Sequence, residues 1–321
     1  MIVDLNCDMG EGFGVYRLGD DAEMLTIATS ANIACGFHAG DPPGWSTRMS
    51  GRTGAPCDTP RSPAMIVDLN CDMGEGFGVY RLGDDAEMLT IATSANIACG
   101  FHAGDPLVMH ETLRLAAANG VQAGAHPGFL DLWGFGRRPI HGERPADVEK
   151  AVLYQVGALL ALAQDAGCPV RHVKTHGALG NIANEDADLA LAVARAIRTL
   201  DRDLIFVVMP GLETERAGER LGLPLVREVY ADRAYADNGN LVSRKLPGAV
   251  LHAPDAVAER VVRMLGDGAI TCASGARLPT RIDSVCVHGD TPGAVAMAAR
   301  LRDALAAQGI ALRPMAAVIG A

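Results

Sequence analysis

The chain has 321 residues, 49% of them apolar and 21% charged, with a net charge of -10. That is ample material for a buried core, and the acidic balance argues against a nucleic-acid grip, which needs a basic patch. No run of about 18 apolar residues predicts a membrane span, and no basic segment followed by an apolar one marks a secretory signal.

In chain order, the first feature is a duplication. Met1–Pro42 recurs letter for letter as Met65–Pro106. A structural repeat would diverge and recur at a period of about 20–50 residues. Identity without a third copy points instead to a recent duplication or a misassigned start. Residues 1–64 are therefore expected to be surplus, and 65–321 to form a single catalytic domain. Pro43–Ala64 is rich in Pro, Gly, Ser, Thr and Arg without apolar period, and is expected to be a disordered linker. The first copy cannot bury a core alone; the second is expected to fill its place because it closes shorter loops. Eight cysteines without a C-x-x-C pair suggest reduced thiols in a cytoplasmic protein.

From Met65 onward, short apolar runs alternate with helical periodicity. Strands are predicted at Ile66–Asp72, Ala95–Phe101, Val121–His126, Val170–His176, Leu204–Met209, Leu225–Ala231 and Ser284–Asp290. Amphipathic helices are marked by Val152/Val156/Leu159/Ala163, by Leu189/Val193/Ile197/Leu200 and by Val257/Val261/Met264. Thr291-Pro292 reads as the start of a last helix, with Gly309 as its stop. Strand–helix alternation means a parallel sheet. Seven units fit either a closed barrel or an open, doubly wound sheet.

The polar residues fall at strand ends. Alternation puts Asp68, Asn70 and Asp72 on one face, His172, Lys174 and His176 on another, and aligns Glu228 with Tyr230 and Asp232. Asn96 lines up with His102, Gly124 with His126, and Cys286 with His288 and Asp290. A lone histidine or carboxylate is ordinarily a structural or solvated group. Burying so many on inward faces costs several kcal/mol each unless they pair or bind something, so a shared site at the C-terminal end of the sheet is the simpler account. Cys71, Cys99 and Cys286 read as small buried hydrophobes. Gly134–Arg138 reads either as a lid carrying two anion-binding arginines or as a salt-bridged loop. No phosphate-binding glycine loop follows a strand, and no nicotinamide, flavin or haem is expected.

The segments DLNCDMGEGFG, SANIACGFHAGDP, GAHPGFLDLWGFGRR, HVKTHGAL, EVYADRAY with NLVSR, and VCVHGD resemble the LamB/YcsF family, in order and across 65–321. The resemblance implies an irregular (β/α)7 TIM-like barrel of the glycoside hydrolase/deacetylase type. It implies the A subunit of an ATP-dependent 5-oxoprolinase, which hydrolyses 5-oxo-L-proline to L-glutamate with ATP, Mg2+ and partner subunits B and C. Thr175 stands where the family has proline, and Gly180 where it has tyrosine.

For that chemistry the expected catalytic residues are Asp72, His102, Lys174 and His176, with the base among Asp72, His102 and His176. Asp68, Asn70, Glu75, Asp105, His126, Arg137, Glu228, Asp232, Arg233, His288 and Asp290 are expected to bind substrate or phosphate. Two alternatives stand beside this: a metal-dependent hydrolase with Asp72, His102 and His176 as candidate ligands, and a non-catalytic substrate-binding subunit.

Overall fold

The computed structural model describes residues 6–9, 21–24, 26–27, 30–34, 65–290 and 293–320. The chain divides into two units, Met1–Thr47 and Arg48–Ala321. In the first, Asn6–Met9 pairs in parallel with Ser30–Ile33, and Asn32 donates to Asp8 at 3.0 Å. The linker Pro43–Ala64 and the pair Thr291-Pro292 lie outside the described residues.

In the second unit seven parallel strands close into a barrel. They are β1 (Ile66–Met73), β2 (Ser94–Ala98), β3 (Gln122–His126), β4 (Val170–Val173), β5 (Ile205–Val208), β6 (Leu225–Tyr230) and β7 (Ser284–Val287). Each pairs with the next, and β7 pairs back onto β1, with Ser284 opposite Asp68 and Val287 opposite Cys71. Closure removes the edge strands that an open sheet would have to protect, and decides between the two architectures that strand count leaves open. A short strand, Ala311–Leu312, adds to the start of β1.

The longer helices are α1 (Pro106–Asn119), α2 (Pro145–Ala166), α3 (Ala187–Leu200), α4 (Glu213–Leu221), α5 (Pro254–Asp267) and α6 (Ala294–Ala307). The predicted stripes face inward: Val152, Val156, Leu159 and Ala163 on α2, Leu189, Val193 and Ile197 on α3, and Val257, Val261 and Met264 on α5 are all buried. They pack on the outward side chains of the barrel, such as Leu69, Met73, Ile97 and Phe206. Gly309, just past α6, takes the left-handed φ of 71° expected of a helix stop. No helix among the described residues is long and apolar enough to cross a membrane.

Three predicted strands overrun the observed ones by three residues. The ladder stops at Ala98, Val173 and Val287, and the residues beyond it curl over the mouth. Gly100 (φ 98°) and Gly104 (φ 80°) make the first of these bends, where a side chain on Gly104 would sit 2.6 Å from the Ala98 carbonyl oxygen. Thr175 and Gly180 are neighbours: a Cβ on Gly180 would lie 2.9 Å from Thr175 Oγ1. The two departures from the family pattern thus meet at one contact.

The lumen is layered. At its foot a last short helix, α7 (Met315–Ile319), inserts Met315 against Ile205, Val207 and Val226. Above that plug Asp68 accepts hydrogen bonds from Thr93 (2.7 Å), Ser94 (2.6 Å) and Ser284 (2.5 Å). Next comes His172, whose Nε2 donates to Asn96 Oδ1 at 2.8 Å while Nδ1 faces Gln122 Nε2 at 3.2 Å. Gly124 is required here, since a Cβ would meet the His172 ring at 2.1 Å.

Burial drives the His172 pKa down to about 3 and the Asp68 pKa up to about 6. Between about pH 6.5 and 3 the unfolded chain takes up a histidine proton that the folded chain refuses, so this contribution is complete above pH 6.5 and lost on acidification. Asp68 acts oppositely: the folded chain keeps its proton between about pH 4 and 6, so its effect on stability becomes more favourable as pH falls. In His172→Gln only the second effect remains. Urea unfolding from pH 6 to 4 is expected to give a free energy that declines less steeply than wild type by about 1 kcal/mol per pH unit; parallel curves would sink this account.

Candidate active site

Charged groups from β1, β6 and the end of β4 meet at one point near the mouth. Lys174, in the residue after β4, places Nζ 3.0 Å from Asp72 Oδ1, 3.0 Å from Glu228 Oε1, 3.3 Å from Asn70 Oδ1 and 3.0 Å from Cys286 Sγ. Its ammonium also lies 5.0 Å from the centre of the Tyr230 ring. Asn70 donates to Glu228 Oε1 at 2.8 Å, and Asn96 donates to both Asn70 Oδ1 (2.7 Å) and Asp72 Oδ1 (2.9 Å). All these side chains except the flanking Tyr230 are buried. A buried cation between two carboxylates is tolerable only when both are paired. Burial opposes the charges, but His126 and Lys174 hold Asp72 well below the usual carboxylate range, and Asp72, Cys286 and Glu228 hold Lys174 well above its own.

Beside this hub stands a histidine cluster. His126 Nδ1 is 2.8 Å from the Lys174 carbonyl oxygen, and its Nε2 is 2.9 Å from His176 Nδ1 and 3.3 Å from Asp72 Oδ2. His176 Nε2 is 2.9 Å from the Phe135 carbonyl oxygen. His102 stacks on His176 with centroids 3.7 Å apart. Glu75 Oε1 is 3.6 Å from His176 Nδ1 and 3.8 Å from His102 Nε2. Burial lowers the pKa values of His102 and His176 well below the ordinary histidine range, and burial with Asp72 and Asp290 nearby raises that of Glu75. Among the described residues, Glu75, His102, His126 and His176 form a group that could hold a metal ion. The carboxylate in it is Glu75, where the sequence offered Asp72.

A third group lies at the rim. His288 Nδ1 is 2.9 Å from both oxygens of Asp232, and its ring stacks 5.5 Å from Tyr230. With Nδ1 donating to the carboxylate, the Nε2 edge is the one presented to a ligand.

Other expected site residues have separate tasks. Asp68 lies at the foot of the lumen, satisfied by three hydroxyls. Asp105 caps α1 through Leu107 N and Val108 N and also accepts from Gly78 N at 2.7 Å. The Arg233 guanidinium is spent on the carbonyls of Val242 (2.7 Å) and Ala249 (3.3 Å). Both arginines of Gly134–Arg138 are paired, Arg137 with Asp290 at 2.7 Å and Arg138 with buried Asp131. That pins the loop as a salt-bridged element. Cys71 and Cys99 are buried and unpaired as expected, whereas Cys286 contacts the lysine.

Phe135 was missed by sequence reasoning. It is the only non-glycine among the described residues with positive φ, 55°, a conformation costing about 1–2 kcal/mol. Its carbonyl positions His176. Its place between Gly134 and Gly136 is the one available signal. Asn96 and Tyr230 show the lumen-facing alternation, but nothing local assigns them a role.

Relatives of this chain match it along nearly their whole length. A protein from Rhodopseudomonas palustris, named as the A subunit of 5-oxoprolinase, is 58% identical over 252 residues, covering 78% of this chain and 99% of that protein. One of the same name from Gluconobacter oxydans is 50% identical with the same coverage. A crystal structure described as the lactam utilization protein from Thermus thermophilus superposes with a TM-score of 0.73 at 42% identity, covering 78% of this chain and 99% of that one. The LamB/YcsF family pattern matches residues 3–50 and 67–320, both copies of the duplicated segment included. On that match and those identities, the chain belongs to the LamB/YcsF family.

Proposed function

We propose that this chain is the A subunit of a cytoplasmic, multi-subunit 5-oxoprolinase that opens 5-oxo-L-proline to L-glutamate with ATP, Mg2+ and partner subunits B and C. The observation that carries this reading is the match over 99% of a relative that bears the name of the 5-oxoprolinase A subunit. The lumen chemistry suits it. A lactam resists water because resonance weakens its carbonyl as an electrophile and its nitrogen as a leaving group. Transfer of the terminal phosphoryl of ATP to the lactam carbonyl oxygen, with release of ADP and loss of the ring N–H proton, removes that resonance. Water then adds to the ring carbon, the ring nitrogen leaves as an amine, and a second water cleaves the acyl phosphate to glutamate and phosphate.

Within this scheme the chain's own groups divide the work. His288, oriented by Asp232, takes the proton of the attacking water; a base held by a carboxylate is the arrangement such a step needs. Lys174 stabilises the negative charge of the phosphoryl group carried on the lactam oxygen, and Asn70, whose amide donates to Glu228 and Ser284, fixes Glu228 beside that lysine. Asp72, 3.0 Å from the ammonium, holds that lysine in place. Arg137, 33% exposed beside Asp290, is the cation nearest to hand for phosphate.

The test is reconstitution. The protein with partners B and C is expected to release glutamate, ADP and phosphate in equal amounts from 5-oxoproline and ATP. Glutamate formation that is unchanged when this chain is left out would overturn the proposal. Full turnover in a Lys174→Met/Asp232→Asn variant would reduce the chain to a substrate-binding role.

A further inference from the structure

Glu75, His102, His126 and His176 each bring one ligand atom to within 4.8 Å of all the others. The backbone fixes the ring tautomers. A carbonyl oxygen accepts only from an N–H, so the contact with the Lys174 carbonyl places the His126 proton on Nδ1, and the contact with the Phe135 carbonyl places the His176 proton on Nε2. Both remaining nitrogens then carry lone pairs, and they face each other at 2.9 Å. Asp72 Oδ2, 3.3 Å from the same His126 nitrogen, adds further negative charge. Lone pairs this close repel unless something positive lies between them. A shared proton would answer that one contact. It would leave Glu75 Oε1 and both ring nitrogens of His102 without hydrogen-bond partners, although all three are buried.

A metal ion answers the facing nitrogens, the nearby Asp72 charge and the Glu75 oxygen together, and an occupant of its open position would answer His102 Nε2. We propose that Glu75, His126 and His176 bind a divalent first-row transition ion of the zinc type, with His102 beside its open position. The donor set is rich in imidazole, which suits zinc and its neighbours; magnesium and calcium demand oxygen. Bonds of about 2.1 Å to a tetrahedral ion put ligand atoms about 3.4 Å apart, and the separations of 2.9 Å and 3.6 Å at His176 Nδ1 bracket that value. Ligating histidines ordinarily give their other N–H to a carbonyl or carboxylate, which fixes the ring; both rings here do so. His102 lies parallel to His176 within 3°. Two parallel stacked rings cannot both aim an in-plane lone pair at one ion, so His102 Nε2 is left for whatever occupies the fourth position. Gly136 makes room for the pair, since a Cβ there would lie 2.7 Å from His176 and 2.8 Å from His102.

This site rests on side-chain geometry and is independent of the lactam reading. The full-length protein is stripped with a chelator and titrated with Zn2+ by calorimetry and with Co2+ by visible absorption. One equivalent of each is expected, with the d–d bands of a nitrogen-ligated cobalt, and no comparable heat from Mg2+. Glu75→Gln and His126→Asn, with folding checked by thermal melts, should each weaken Zn2+ binding by at least about 100-fold. If either variant fails to fold, the wild-type cobalt form decides, because two exchangeable ring N–H protons, one on each ligating histidine, should show paramagnetic shifts. Uptake below about a tenth of an equivalent by the stripped protein, undiminished uptake in both folded variants, or absence of shifted N–H signals would each overturn the proposal. Zinc bound at full stoichiometry without lactam turnover would count against the lactam reading alone.

Discussion

Lys174→Met is expected to abolish turnover and to lower the free energy of unfolding by about 3–5 kcal/mol, the usual cost of leaving a buried charge without its partner. The lysine is 3% exposed and is the common counter-ion of Asp72 and Glu228. Its stem is matched in size by methionine, so the loss comes from charge and not from a cavity. The decisive comparison is a double variant. Adding Glu228→Gln to Lys174→Met removes one stranded carboxylate and should restore part of the stability, as read by urea unfolding at pH 7, without restoring turnover. A single variant within about 1 kcal/mol of wild type would mean that water or a rearranged neighbour already compensates the carboxylates. A double variant that regained activity would remove the lysine from the chemistry.

Asp232→Asn should lower turnover by a factor of about 10²–10⁴ while leaving 5-oxoproline affinity within a few-fold. The carboxylate holds His288 Nδ1–H by contacts of 2.9 Å to both oxygens, which keeps the lone pair on Nε2. An amide presents an N–H as readily as an oxygen, and turning the N–H toward Nδ1 moves the ring proton to Nε2, where it can no longer accept. Asn is nearly isosteric, so the fold should survive; a thermal melt checks this. If turnover stays within about tenfold of wild type, the base lies elsewhere, and Asp72 is the next group to replace.

The duplicated segment shows how far local sequence carries structure. Asn6–Met9 and Ser30–Ile33 repeat the pairing of Asn70–Met73 with Ser94–Ile97, down to an Asn-to-Asp hydrogen bond, Asn32 to Asp8 in one and Asn96 to Asp72 in the other. Yet Asp8 and Asn32 are exposed, while Asp72 and Asn96 are buried. The same residues thus make the same strand pair in both settings. The hub forms only where Lys174, Glu228 and His126 arrive from elsewhere in the chain.

Much of the rest was open to reading in one dimension. Seven strands follow from short apolar runs, the helices from stripes such as Leu189, Val193 and Ile197, and the active end from polar residues gathered at the end of each strand. These are properties of near neighbours along the chain, so local pattern suffices. The foot position of Asp68 and the contacts that hold the Arg233 guanidinium came only from the fold. So did the placing of Glu75 near His102 and His176 and the contacts of the Phe135 and Lys174 carbonyls with the histidine rings. Each depends on partners brought together from distant positions, such as Asn70 and Ser284 across 214 residues. A hydrogen bond or a ligand bond is decided by distances of a few tenths of an ångström, and only tertiary packing sets those.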